Sequence, residues 1–212
     1  IRRVEFDLLS VDIGESWPTP VTVIHGSRPG PVVTLLGAVH GNELVGPLAL
    51  TYLTGPNFVG PGKPIDPEVM AGTLRIVPVV NMPGYRRQSR YMPDGRDLNR
   101  AFPGKPESNT TFRVAHRIWD EVVSGSDYII DLHTAAFGRT NMPQIRANLA
   151  HASSNKIARS FGIEAILDNV GPKGSLRRLT NDSDIACITF EGGGPNESDP
   201  ESVQISIYGI LN

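Results

Sequence analysis

Only one cysteine occurs in the 212 residues, so the chain cannot close a disulfide on itself. Cys187 lies in the apolar run DIACITF and is expected to be buried as a small hydrophobe rather than exposed as a reactive thiol. That usage suits a reducing compartment, and a cytoplasmic location is expected. No run reaches the ~18 to 20 apolar residues of a membrane helix, and no signal peptide is visible at the start. Nor is there an excess of positive charge: 20 Lys and Arg stand against 22 Asp and Glu, a formal net charge of −2. Neither nucleic acid nor an anionic membrane is therefore an expected partner. No G-x-S-x-G elbow occurs, which argues against a serine hydrolase. The chain starts at Ile1 rather than Met, and its final stretch SVQISIYGILN is helix-compatible without a Gly or Pro stop, so the natural protein is expected to continue.

What is present is a globular pattern, with 39% hydrophobic and 20% charged residues. Apolar runs alternate with amphipathic ones and predict an α/β fold with a mixed, mostly parallel twisted sheet flanked by helices. PVTVIHG and PVVTLLGAV read as strands joined at SRPGP, in the manner of a hairpin. LVGPLALTYLTG is helix-like, and NFVGPGKPIDPEVMAG is a loop by composition. TLRIVPVV, DYIIDLH and DIACITFEGGG read as buried strands, and ASSNKIARSFG as a helix ended by Gly162. TTFRVAHRIWDEVV places Phe112, Ala115, Ile118, Trp119 and Val122 on one helical face.

Three of the apolar runs end in metal-ligand chemistry: VVTLLGAVHGNE, YIIDLHTA and ACITFEGGG. In open α/β sheets ligands bind beyond the carboxyl ends of strands, so these distant residues can meet in one crevice. His40, Glu43 and His133 supply the two imidazoles and one carboxylate of a hydrolytic zinc site with an open position for water. The i, i+3 spacing lets His40 and Glu43 converge, and Gly41 allows the tight backbone between them. Glu191 is left as a carboxylate for general-base work. Asp97 and Asp131 are candidates for orienting the imidazoles. An isolated H-x-x-E is equally the pattern of a solvated turn; the coincidence of three strand ends carries the reading.

Between the third and fourth apolar runs lies a long polar segment containing YRRQSRYMPDGRDLNRAFPG, with five arginines. Loops of that length inside a compact domain are usually functional. A guanidinium matches a carboxylate in bidentate fashion and an asparagine amide can hold one of its oxygens, so Arg100 and Asn99 predict a carboxylate-bearing substrate. Arg86, Arg87 and Arg96 are assigned to solubility.

HGNE, RY followed by DLNRAFPG, DLHT and TFEGG occur in an order that resembles the succinylglutamate desuccinylase/aspartoacylase family of zinc carboxypeptidase-like hydrolases. The resemblance implies a zinc carboxypeptidase-like (phosphorylase/hydrolase-like) catalytic domain over residues 1–212, without the smaller β-rich domain that follows it in family members. It implies one zinc ion per chain, on His40, Glu43 and His133, with Glu191 as general base and Asp97 supporting the first zinc histidine. Arg90 corresponds to the arginine that polarises the scissile carbonyl, although the insertion MPDGR leaves Arg96 as a substitute. Asn99 and Arg100 correspond to the pair that grips the substrate carboxylate, and Arg177 of GSLRR to an arginine that reaches the substrate.

The expected activity is zinc-dependent deacylation of a small N-acylated amino acid or related amide. Two other readings stay open at this level: a metallocarboxypeptidase that trims peptides, and a non-catalytic domain that keeps zinc for stability. A homo-oligomer is compatible with either enzyme.

Overall fold

In the computed structural model, which describes residues 2–10, 16–55 and 65–212, eight strands form one sheet in the order β1-β2-β4-β3-β5-β8-β6-β7. The strands are β1 (Arg2–Ser10), β2 (Ser16–His25), β3 (Arg28–Gly37), β4 (Ala71–Val77), β5 (Tyr128–His133), β6 (Asn141–Ala147), β7 (Ile166–Asp168) and β8 (Ala186–Gly193). The centre β4-β3-β5-β8 is parallel throughout, whereas β1, β2 and β6 join antiparallel. The expected mixed, mostly parallel α/β sheet is present.

Helices cover both faces. They are α1 (Val45–Thr54), α2 (Met82–Arg86), α3 (Thr110–Arg117), α4 (Ala152–Ser160), α5 (Leu176–Asp182) and α6 (Pro200–Leu211). The two-residue period of the central strands divides their side chains between two cores. Leu36, Ile129 and Cys187 enter the core under α3, while Leu35, Ile130 and Ile188 enter the one under α1, α4 and α6. Cys187 is fully buried, and burial pushes its thiol up to about 12. The amphipathic face predicted after Thr110 is seated as expected, with Ala115, Ile118 and Val122 buried and Phe112 and Trp119 packed against them. Its second half, Ile118–Val123, widens into a π turn.

β2 and β3 do not form the expected hairpin. β4 runs between them, antiparallel to β2 and parallel to β3. Gly26 N donates to Gly72 O and Ser27 N to Pro67 O, so the connection wraps over the entry of β4 instead of closing a two-stranded turn. Pro29 and Pro31 have no N–H, and a hairpin ladder would have needed donors there. The predicted loop NFVGPGKPIDPEVMAG lies partly outside the described residues; its tail contains a turn at 67–69 and then enters β4. No helix among the described residues is long and apolar enough to cross a membrane.

Candidate metal centre and its cavity

The parallel centre of the sheet aims its carboxyl ends at one point. β3 stops at Gly37 and leads through a turn to His40, β5 ends on His133, and β8 carries Glu191 directly opposite His133 in the ladder. Glu43 comes back over His40, its backbone N–H donating to His40 O at 3.2 Å. Gly41 φ is not positive; its glycine is needed for close approach instead. A Cβ there would lie 2.1 Å from Gly84 C and 2.2 Å from Tyr85 N, so α2 can pack against this turn only over a bare Cα.

All three predicted ligands are buried and converge. His40 Nδ1 lies 2.8 Å from Glu43 Oε1, His133 Nδ1 lies 2.9 Å from Glu43 Oε2, and the two Nδ1 atoms are 3.2 Å apart. Their donor atoms fall within 4.8 Å of one another. The outer nitrogens are each held by an aspartate: His40 Nε2 by Asp97 Oδ1 at 3.1 Å and His133 Nε2 by Asp131 Oδ2 at 2.8 Å. With Nε2–H donated outward, both Nδ1 lone pairs point inward, the tautomer a metal requires. Two ligands 2.0–2.1 Å from a tetrahedral ion stand roughly 3.3 Å apart, so the separation and the His-Glu-His donor set fit a divalent metal such as zinc.

The electrostatics are those of a cation site. Burial raises the carboxyl of Glu43, but the two imidazoles outweigh it and hold the group at about 2. Asp97 is likewise pushed up by burial and pulled well below the carboxylate range by His40 and Arg90. Burial lowers His133, yet Asp131 and Glu43 outweigh it and raise the imidazole well above its ordinary value. A field that favours a proton here also favours a metal cation.

The cluster forms the floor of a cavity of about 280 Å³, whose wall includes Glu191, Arg90, Asn99, Arg100 and Arg177. Arg90 NH1 donates to Glu43 Oε1 at 3.2 Å and its NH2 to Asp97 Oδ2 at 3.1 Å. The two candidates for this position are thereby separated: Arg96 is turned outward on Asp94, its side chain 51% exposed. Arg86 and Arg87 are exposed. Asn99 Oδ1 accepts from Leu176 N at 2.9 Å, tying the arginine-rich loop to the start of α5 and leaving the amide Nδ2 for a ligand. Arg100 is exposed at the rim, with NH1 on Asn99 O. Arg177 is buried, bonded through NH1 to Asn169 O at 2.6 Å, and its Nε has no partner among the described residues.

Two cavity residues had no sequence signal. Asn141 Nδ2 donates to Glu191 Oε2 at 2.8 Å, and Arg146 NH1 lies 3.1 Å from Glu191 Oε1. Positions five apart on a regular strand face opposite ways; the register shift between Asn141 and Gln144 brings both to the Glu191 face. Burial raises the carboxyl of Glu191, a shift that His133 and Arg146 only partly oppose.

The α/β sheet that gathers a buried His-Glu-His group at the carboxyl ends of its parallel strands has its counterpart in one family of known proteins. Residues 29–212 match the succinylglutamate desuccinylase/aspartoacylase catalytic domain, and the chain belongs to that family. The N-alpha-acetyl-L-2,4-diaminobutyric acid deacetylase of Halomonas elongata is 29% identical over 211 residues, covering 91% of this chain and 56% of the relative. The product-bound ectoine utilization protein EutE (DoeB) of Ruegeria pomeroyi superposes with a TM-score of 0.83 at 27% identity, over 97% of this chain and 63% of that one. A succinylglutamate desuccinylase/aspartoacylase from Rhodobacter sphaeroides also gives 0.83, at 28% identity, over 99% and 63%. This chain thus spans less than two thirds of each relative.

Proposed function

We propose that the protein is a zinc-dependent amidohydrolase that removes the acyl group from a small N-acylated amino acid or related carboxylate-bearing amide. The observation that carries this reading is the convergence of His40, Glu43 and His133 with Glu191 one strand away on the same cavity. The Halomonas relative, a deacetylase of an N-acetylated amino acid, supports the substrate class.

His40, Glu43 and His133 would hold one zinc ion, which when bound would make a water more acidic and polarise the carbonyl. Glu191, its proton affinity raised by burial, takes the proton from that water and returns it to the leaving amine. Arg90 faces the same cavity and stabilises the negative charge that develops on the carbonyl oxygen. Asn99 Nδ2 and Arg100 bind the substrate carboxylate, and Arg177 adds its positive charge to the cavity wall. Asp97 and Asp131 keep the imidazoles in the ligating tautomer.

Elemental analysis of the purified protein, followed by assay on N-acyl amino acids and peptides, tests this. One zinc per chain and release of free amine from an N-acyl amino acid are expected. Undiminished turnover after exhaustive chelation would overturn it.

A further inference from the structure

Glu191 has both oxygens engaged, by Asn141 on Oε2 and by Arg146 on Oε1. The second contact works against a base. With Asn141 on Oε2, the guanidinium occupies Oε1, the oxygen otherwise open to take a proton, and opposes part of the rise in proton affinity that burial brings for as long as the pair stands. The neutral amide of Asn141 carries no such penalty and fixes the carboxylate in either form.

Arg146 is built to leave. Its side chain is 35% exposed against 12% for Glu191, it lines the cavity, and Glu191 is its one ion-pair partner among the described residues. A guanidinium has five N–H donors, so most are open to another acceptor. The cavity wall carries Arg90, Arg100, Arg139, Arg146 and Arg177 against only two carboxylates, Glu43 and Glu191, a balance that draws an anion in.

We propose that Arg146 is an exchangeable mask on Glu191: the substrate carboxylate that Asn99 and Arg100 bind also takes over this guanidinium, and the base is uncovered only when such a substrate fills the cavity. One ion pair replaces another, and no covalent bond changes in the exchange. Amides without the carboxylate enter a site whose base is still covered, so discrimination falls on kcat as well as on KM. The proposal rests on Glu191 being the base.

Two measurements decide it. The first compares an N-acyl amino acid with its α-carboxamide in wild type, Arg146→Met and Arg146→Lys. Wild type should favour the acid at least about tenfold in kcat. Arg146→Met should keep or raise kcat on the carboxamide and reduce the preference below about threefold, with Arg146→Lys restoring part of it. An equal loss of kcat on both compounds in Arg146→Met would make Arg146 a fixed positioning group and overturn the exchange.

The second does not depend on turnover. Succinate binding to the metal-loaded protein is followed by calorimetry in a cycle of Glu191→Gln and Arg146→Met. Glu191→Gln should tighten succinate about tenfold when Arg146 is present and less than about threefold when it is replaced. Equal tightening in both backgrounds would mean that Glu191 acts by repulsion alone, which sinks the proposal. If the coupling is seen but no N-acyl amino acid is hydrolysed, the exchange of ion pairs stands, while Glu191 as base, and with it the functional reading, fails. Metal content and melting temperature of each variant separate loss of the exchange from loss of the fold.

Discussion

His40 and His133 face each other through Nδ1 at 3.2 Å while both turn Nε2 outward onto an aspartate. Were both to turn lone pairs inward, they would repel at that distance unless something positive, a proton or a metal ion, lay between them, and the Glu43 carboxylate beside both adds to the demand. His133 is fixed by the last residue of a central strand, and His40 by a turn packed on α2. The charge requirement is therefore built into the end of a central strand and a turn packed on α2, the kind of support that a metal site would need.

Asp131 is the least exposed of the supporting groups at 1%, and it orients His133 from within β5 itself. Asp131→Asn keeps the volume but removes the charge that raises the imidazole's basicity. Metal affinity is expected to fall about ten- to hundredfold. Competition with a chelating indicator measures it; unchanged affinity would show that packing alone orients the ring.

Glu191→Gln preserves size and the hydrogen bond from Asn141 but cannot take a proton. The variant should bind metal as wild type does and lose roughly 10²- to 10⁴-fold in kcat, the usual share of general acid–base catalysis. Single-turnover rates with equal metal content check this, and near-full activity would remove Glu191 from the mechanism.

His40, His133 and Glu191 could be read from the sequence because each terminates or nearly terminates an apolar run, and a run that ends in a ligand residue is visible without knowing strand order. Asn141 and Arg146 could not. β6 is a polar strand interrupted by Pro143, and its register shift breaks the two-residue alternation that sequence reasoning relies on. Strand order failed for a related reason: β2 and β3 are close in sequence, but the strand between them, starting at Ala71, comes well after β3 has ended at Gly37. The sequence favoured Arg90 and kept Arg96 only as a substitute; the fold of the loop turns Arg96 onto Asp94 and brings Arg90 to Glu43.

Gly41→Ala places a methyl group against the backbone of Gly84 and Tyr85, where no side chain can yield. The turn carrying His40 and Glu43 must move off α2. Overpacking of this kind costs about 1–3 kcal/mol, and because the displaced atoms are ligands, metal affinity should fall along with stability. Denaturant unfolding with and without metal resolves the two: a loss of stability with full metal affinity would show that the ligand turn relaxes independently of α2.

Asp94 caps the first turn of α3 from outside the helix, accepting from Thr111 N at 3.1 Å and from Thr111 Oγ1. Burial raises its carboxyl, but the Thr111 bonds outweigh this and leave it below the ordinary value of 3.8. A carboxyl with a lower folded than unfolded pKa adds stability above the unfolded value, and that stability disappears as pH falls through the folded one. Asp94→Ala should therefore cost about 1 kcal/mol at pH 7, the worth of a helix cap. The gap between variant and wild type should narrow as pH drops below 3.8. Urea unfolding of the metal-free protein at neutral and acid pH tests this, since a gap of constant size would mean that the side chain acts through packing rather than through its charge.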